Sequence, residues 1–158
     1  MSSPEDLDDF SAQSAAALAA GDLAAASEAT RKGTPIHGRM GLEIVRMDGD
    51  ATVVTMELSD EVRGAAAGSI HGGILGTFAD ATSAIALSGT YDMANDVPVT
   101  TDMHIRYYRQ PRSGPLTATA TVVHSGRRLL STECCIVDAE ERVLARSTAT
   151  YMLVPRAF

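Results

Sequence analysis

The sequence is poor in residue types that mark several classes of protein. It has no tryptophan, and aromatic residues make up only 4% of the chain. Its two cysteines are adjacent, at Cys134 and Cys135, and on a strand they would point to opposite faces. Such a pair indicates neither a disulfide framework nor a metal site, and it fits a reducing cytoplasm.

Long apolar runs and targeting signals are missing as well. No run approaches the ~20 apolar residues that a membrane-spanning helix needs. The acidic start, Met1 to Asp9, has neither an apolar core nor early arginines, so we expect no secretory or transit peptide and a cytoplasmic location. Histidines are scattered without the spacing of metal ligands, so we expect no metal and no cofactor; they are His37, His71, His104 and His124.

Positive charge is scarce and unevenly placed. The net charge is −7, and six acids precede Arg31. No acid occurs between Asp102 and Glu133, where five arginines lie: Arg106, Arg109, Arg112, Arg127 and Arg128. An acidic protein of this kind is a poor general binder of nucleic acid. The arginines could hold a small polyanion such as a nucleotide phosphate, or they could lie on solvated strand ends and turns.

The order of patterns along the 158 residues predicts one α+β domain with a helical addition in front. An alanine-rich stretch before residue 33 predicts one or two short helices, and strand character begins at Ile36. We therefore divide the chain into an N-terminal extension, 1–34, and a main domain, 35–158. The predicted elements of that domain are strands at 41–47 and 51–58, a helix at 72–88, and strands at 97–108, 116–124, 128–137 and 142–154.

These elements fit a curved antiparallel sheet of about six strands wrapped round one apolar helix. No helical pattern separates the last four strands, which excludes a doubly wound parallel sheet and favours an antiparallel meander. In the strand from Val97, alternation places Val99, Met103 and Tyr107 on one face and Thr100 on the other.

The chemistry is concentrated between Gly68 and Ser88, where a glycine-rich segment opens the helix. Free backbone N–H groups at a helix start can stabilise a developing oxyanion. Asp80, in the middle of the helix, is the obvious acid–base or nucleophilic group, or else a helix acid paired with an arginine. The small-residue face around Gly73 and Gly76 permits close approach, by a second helix or by the sheet. The glycines lack the lysine of a P-loop, and no strand feeds directly into them as in a dinucleotide fold.

The run His71-Gly72-Gly73, with an acid nine residues after the histidine, resembles the hotdog-fold thioesterases. It is most similar to the PaaI-type branch, the phenylacetate-pathway thioesterases that hydrolyse acyl-CoA. The resemblance spans about Pro35 to Val154. It includes Gly68, three residues before His71, and a strand in which Thr100 stands two residues before an aspartate.

The resemblance implies a role for each of these residues in the hydrolysis of an acyl-CoA. Gly72 would offer its backbone N–H to the thioester carbonyl, next to Gly73 at the substrate, and His71 would help to shape the loop. Asp80 would act as nucleophile or as general base for water, with Thr100 orienting Asp80 or the water. A turn formed by Arg127 and Arg128 would contact the CoA phosphates.

The sequence departs from this family at one position, and two other functions stay open. Relatives commonly carry an asparagine six residues before the histidine, where this chain has Ala65. The loss of that amide keeps alive a non-catalytic acyl-CoA-binding or regulatory protein. A hydratase or dehydratase usually pairs its aspartate with a nearby histidine, and no histidine follows Asp80 within twenty residues.

Helix geometry predicts that the site is shared by two chains. Gly72 and Asp80 lie eight residues apart, which is roughly 12 Å along a helix axis. The oxyanion donor and the attacking group must both come within about 3–3.5 Å of one carbonyl. We therefore expect an obligate two-fold dimer in which Gly72 of one chain meets Asp80 of the other. The resemblance adds that such dimers commonly pair into tetramers.

Overall fold

The computed structural model of the chain describes residues 4–66 and 68–156. Four helices, α1 to α4, span Pro4–Ala20, Leu23–Gly33, Pro35–Met40 and Gly72–Ala86. Six strands, β1 to β6, span Glu43–Met47, Thr52–Met56, Asp96–Tyr107, Leu116–Ser125, Leu129–Val137 and Val143–Pro155. Short 3₁₀ turns lie at Asp60–Val62 and Leu87–Gly89.

The strands form one antiparallel sheet in the order β1-β2-β4-β5-β6-β3, and α4 packs across one face of it, with contacts to β2, β3, β4, β5 and β6. The predicted six-stranded sheet round a central helix is thus confirmed. The meander is confirmed for β4, β5 and β6 but wrong for β3, which pairs with β6 rather than with β4. Since α4 crosses the sheet after β2, β3 lies at the edge opposite β1. The segment after β3 then returns the chain to β4, next to β2.

The core lies between α4 and the sheet. On the helix, Leu75, Phe78 and Ile85 are buried, as the apolar pattern predicts. They pack against the buried residues of the sheet. The fully buried sheet residues include Val54, Met56, Ala118, Ala120, Ile136 and Leu144.

The structure corrects the sequence interpretation between residues 35 and 40, where a helix stands in place of the predicted start of strand character. Pro35 occupies the first turn of α3, where its missing N–H costs nothing and its fixed φ suits a helix. Gly41 ends the helix in the left-handed conformation, at φ 61°. Pro35 therefore begins α3 two residues after α2 ends at Gly33.

The helical extension is joined to the sheet by buried contacts. Ala26 and Ser27 of α2 are buried, and the Ser27 hydroxyl donates to the Leu23 carbonyl at 2.7 Å while accepting the Ile44 N–H of β1 at 2.8 Å. The division of the chain at residue 34 stays a prediction. Within the described residues, no helix combines the length and apolar character required to cross a bilayer.

Candidate active site

Hydrogen bonds hold the loop that precedes His71 and position His71 at the start of α4. The N–H of Gly64 donates to the Ser69 carbonyl at 2.9 Å, and the N–H of His71 donates to the Val62 carbonyl at 3.2 Å. Between them, the Ile70 N–H donates to the side-chain oxygen of Gln110 at 2.8 Å. These bonds fix where the helix begins. Ala65, in the same loop, is exposed and brings no polar side chain.

The first turn of α4 leaves one backbone donor available. His71 caps the helix, and its Nδ1 accepts the N–H of Gly73 at 3.0 Å. The N–H of Gly72 has no acceptor among the residues that the structure describes. It lies at a helix start, where partial positive charge accumulates, so it suits an oxyanion. His71, Gly72 and Gly73 thus form the start of α4, and their roles toward a substrate stay a prediction.

Tyr107, which sequence reasoning missed, lies over this helix start. Its hydroxyl donates to the Gly72 carbonyl at 3.0 Å, and a Cβ added to Gly72 would lie 3.8 Å from its ring. Its hydroxyl also lies 3.5 Å from the Cβ position of Gly76. At Gly76, therefore, the close approach that the small-residue face allows is to β3 of the same chain.

Two hydroxyl groups hold the Asp80 carboxylate through a single oxygen. Thr100 Oγ1 donates to Asp80 Oδ1 at 2.9 Å, and Tyr151 Oη donates to the same oxygen at 2.8 Å. Asp80 Oδ2 has no donor among the described residues. Two bonds to Oδ1 fix the rotation of the carboxylate, so Oδ2 has a defined direction in which to act on a ligand.

A β-bulge brings Thr100 to Asp80. The pairing of β3 with β6 shifts between Thr100 and Asp102, so that Thr101 is the extra residue. Met103 lies on the helix side of β3, as its approach to Gly76 shows. Strict alternation would turn Thr100 away from that side, and our prediction of opposite faces for Thr100 and Met103 is wrong. The bulge puts the strand out of phase and re-aims Thr100 at the carboxylate.

Tyr151, which sequence reasoning also missed, is 1% exposed and is paired with Thr100 across the sheet. Burial, followed by the charge of Asp80 and the bond to it, raises the pKa of Tyr151 well above its ordinary value. The hydroxyl therefore keeps its proton and acts as a permanent donor. The only sequence signal was its inward position on a strand, where a buried tyrosine needs a polar partner.

Within one chain, the two halves of the site lie at different places along β3. Thr100 of β3 contacts Asp80, whereas Tyr107 of the same strand contacts Gly72. α4 is continuous between them, so the roughly 12 Å rise over eight residues applies. One chain brings Asp80 together with Thr100, and Gly72 together with His71 and Gly73, but it does not join the two groups.

The turn between β4 and β5 carries Arg127 and Arg128, both exposed. Close to this turn, Leu130 of β5 pairs with Tyr151 of β6, and Tyr151 pairs with Thr100 of β3, so these three residues form one row across the sheet. Since Tyr151 contacts Asp80, the turn lies two or three residues beyond the row that supports the carboxylate, which is about 7–10 Å along a strand. The arginines are therefore at the same end of the sheet as Asp80.

Comparison with known proteins identifies the family of the chain. The family model described as "Thioesterase superfamily" matches residues 67–145, which include His71, Asp80 and Thr100. A curated relative, the 1,4-dihydroxy-2-naphthoyl-CoA hydrolase of Listeria monocytogenes, is 25% identical over 111 residues, or 70% of this chain and 89% of that protein.

Solved structures share the fold. The PaaI protein from the phenylacetic acid degradation operon of E. coli is 26% identical, with a TM-score of 0.69 over 81% of this chain and 90% of its own. A mutant thioesterase from Pseudomonas aeruginosa is 21% identical, with a TM-score of 0.75 over 82% of this chain and 91% of its own. These matches confirm the hotdog fold and the resemblance, and the chain belongs to the thioesterase superfamily of thioester hydrolases.

Proposed function

We propose that this protein hydrolyses acyl-CoA thioesters to the free acid and CoA, with Asp80 as the reacting carboxylate and the Gly72 N–H as the oxyanion donor. The observation that carries this proposal is the Asp80 carboxylate, which is held through Oδ1 by two hydroxyls and leaves Oδ2 without a donor among the described residues. The name of the Listeria relative, a CoA hydrolase, supports the CoA thioester as substrate.

The reaction needs a hydrogen-bond donor at the carbonyl oxygen and a base or nucleophile that acts at the carbonyl carbon. The Gly72 N–H stabilises negative charge as it develops on the thioester oxygen. Asp80 Oδ2 removes a proton from water as the water oxygen bonds to the carbonyl carbon, or it attacks that carbon itself. With water as the nucleophile, the carbon–sulfur bond then breaks, the CoA sulfur takes up the proton that Asp80 removed, and the free acid is released. With Asp80 as the nucleophile, the same bond breaks to leave an anhydride between Asp80 and the acyl group; water hydrolyses this anhydride to the free acid and restores the carboxylate, and the CoA thiolate takes up one of the protons released.

The site is completed by a second copy of the chain. Within one chain, Gly72 and Asp80 cannot both reach the same thioester carbonyl, because about 12 Å of helix separates them. β3 is an edge strand whose outer side is open, with Val99 41% exposed and Thr100 and Thr101 exposed. An open edge next to Asp80 supports a two-fold dimer there, in which Gly72 of one chain faces Asp80 of its partner.

The other residues of the site have supporting roles in this proposal. His71 fixes the first turn by capping it, and Gly73 is held by that cap. Thr100 and Tyr151 orient the carboxylate. Arg127 and Arg128 bind phosphate groups of CoA, for which planar guanidinium groups are well suited.

The direct test measures thiol release from a panel of acyl-CoAs, aryl and medium-chain, by the wild-type chain and by Asp80→Asn. We expect turnover by the wild type and a loss of about 10²-fold or more in the variant, with its folding and oligomeric state unchanged. His124→Asn, an exposed histidine on β4, is the matched control. Equal turnover by Asp80→Asn and wild type would end the proposal.

A second function, acyl-CoA binding without turnover, is favoured by one observation. Ala65 leaves the loop before His71 without the amide that relatives commonly carry, and its side chain is exposed. Calorimetry with the same acyl-CoAs separates the two functions. Tight binding with no thiol release by the wild type would support the binding protein and exclude the hydrolase.

A further inference from the structure

Two buried hydroxyl groups lie in the layer between α4 and the sheet, on Ser83 of α4 and Thr132 of β5. Each of these residues is 1% exposed. Neither hydroxyl makes a hydrogen bond of ordinary length and angle to a described residue. Unpaired buried polar groups are unfavourable, and native proteins retain few of them, so this pair calls for a physical reason.

Helix geometry places Ser83 beside the hydroxyl of Tyr151. Ser83 lies three residues after Asp80 and hence on the same side of α4. Tyr151 Oη lies 3.2 Å from the Asp80 carbonyl oxygen, and in an α-helix that carbonyl is directed towards the following turn, which contains Ser83. Leu87, one turn further along, packs in the same cluster as Tyr151. The Tyr151 ring therefore lies along the stretch of α4 that Ser83 occupies.

Strand register places Thr132 on the other side of the same hydroxyl. Leu130 of β5 lies opposite Tyr151, and Thr132 lies opposite Ala149. Leu130, Thr132 and Tyr151 are all buried on the helix side of the sheet. Thr132 is thus a diagonal neighbour of Tyr151, at a separation of about 7–8 Å that aromatic side chains can bridge.

The oxygen of Tyr151 has acceptor capacity that these two hydroxyls can use. Its single proton has two acceptors within reach, Asp80 Oδ1 at 2.8 Å and the Asp80 carbonyl at 3.2 Å. A phenol oxygen also accepts hydrogen bonds, and a hydroxyl hydrogen rotates to suit its acceptor. Burial is the main cause that raises the pKa of Tyr151, and the Ser83 and Thr132 hydroxyls partly oppose this rise, as donation to the phenol oxygen would.

We propose that Ser83 and Thr132 are positioning residues, which donate hydrogen bonds to Tyr151 Oη and thereby direct its proton to Asp80 Oδ1. The inference rests on the proposed function, in which Asp80 is the reacting carboxylate. Donors on the lone pairs of Oη keep the O–H bond from turning to the Asp80 carbonyl. They also polarise that bond, which strengthens the hydrogen bond to Oδ1. Asp80 Oδ2 then keeps one direction towards the substrate, and no proton moves along the hydroxyls.

The test removes each hydroxyl with little change in side-chain size. Thr132→Val exchanges the hydroxyl for a methyl group, and Ser83→Ala deletes the other hydroxyl. We expect each variant to lower kcat with the best acyl-CoA by about threefold to fivefold, and the double variant by about tenfold, with KM little changed. Thr132→Ser keeps the hydroxyl and should stay within about twofold of wild type. Steady-state thiol release gives the rates, and Tm shows that each variant is folded.

Coupling to Tyr151 separates this role from a general effect on packing. In a Tyr151→Phe background the two hydroxyls have no phenol oxygen to reach, so Thr132→Val and Ser83→Ala should each change kcat by less than about twofold. Ser147→Ala is the matched control. The Ser147 hydroxyl is likewise buried and without a partner among the described residues, but it lies four residues from Tyr151 along β6, about 13 Å away. Its removal should leave kcat unchanged.

Each outcome decides for or against the inference. Wild-type kcat in both Thr132→Val and Ser83→Ala would overturn it, and so would equal losses with and without the Tyr151 hydroxyl. If one of the two variants fails to fold, the other still decides, because each is compared with Tyr151→Phe on its own. Wild-type turnover by Asp80→Asn would instead refute the proposed function, and the two failures are therefore distinguishable.

Discussion

Replacing Gly72 by proline should remove the oxyanion donor and nothing else. Gly72 is the first residue of α4, where proline is well tolerated because its N–H would have no helical partner. The preceding residue, His71, has φ −69° and ψ 129°, an extended conformation that a following proline favours. A Cβ at Gly72 would lie 3.8 Å from the Tyr107 ring, which is an ordinary contact. The helix should therefore form normally in Gly72→Pro.

The expected magnitude follows from the loss of one preorganised donor. Such a loss lowers kcat by about 10²–10³-fold, equivalent to roughly 2.7–4 kcal/mol of transition-state stabilisation. Gly72→Ala is the matched control, because it adds the same first side-chain carbon but keeps the N–H, and it should retain most of the activity. Initial rates of thiol release, with Tm and oligomeric state measured alongside, provide the assay. A proline variant that folds and turns over at the alanine variant's rate would refute the assignment of Gly72.

Three further predictions concern the groups that support the site and the fold. Tyr151→Phe leaves Asp80 Oδ1 with one donor instead of two, so kcat should fall about tenfold and the free energy of unfolding by about 1 kcal/mol, as steady-state kinetics and urea denaturation would show. Ser27→Ala breaks the bond between α2 and β1 and should cost about 1–2 kcal/mol in denaturant titration without changing kcat; an altered kcat would mean that the extension shapes the site. Burial raises the pKa of Asp138, but hydrogen bonds from backbone N–H groups and the Arg142 guanidinium together hold it below its usual range. Asp138→Asn removes this charge and should lower Tm by about 5 °C at pH 7. This stabilisation is present above the unfolded-state pKa of about 3.9 and is lost as the pH falls through the lower folded-state value, so the Tm curves of variant and wild type should converge in acid.

The fold was largely predictable from the sequence because helices and strands differ in the spacing of their hydrophobic residues. Strand alternation and the apolar stripe of α4 each indicate one structure, and their order leaves few ways to bury the helix. The pairing of β3 with β6 was not predictable in the same way. Strand spacing reports which segments are strands, whereas the neighbours of β3 are set by the path of α4 across the sheet.

Most residues of the candidate site were found from the sequence: His71, Gly72 and Asp80 belong to one motif, and Thr100 was found through the family resemblance. Tyr151 and Tyr107 were not, because they reach the motif from distant strands through tertiary contacts. A single residue shows why local patterns fail here. Thr101, the extra residue of the bulge, shifts the alternation of side chains along β3, and the hydrophobic pattern of the sequence gives no sign of such a bulge.

Mixing two inactive chains tests the shared site most directly. Asp80→Asn and Gly72→Pro are each expected to be inactive, and a 1:1 mixture that is co-assembled from unfolded chains should pair at random. In a mixed dimer, one site combines the intact Gly72 of one chain with the intact Asp80 of the other. Half of the dimers are mixed and half of their sites are intact, so a two-fold shared site predicts recovery of about a quarter of wild-type activity. Recovery of none, from chains that are shown to have exchanged, would contradict a site built across two subunits.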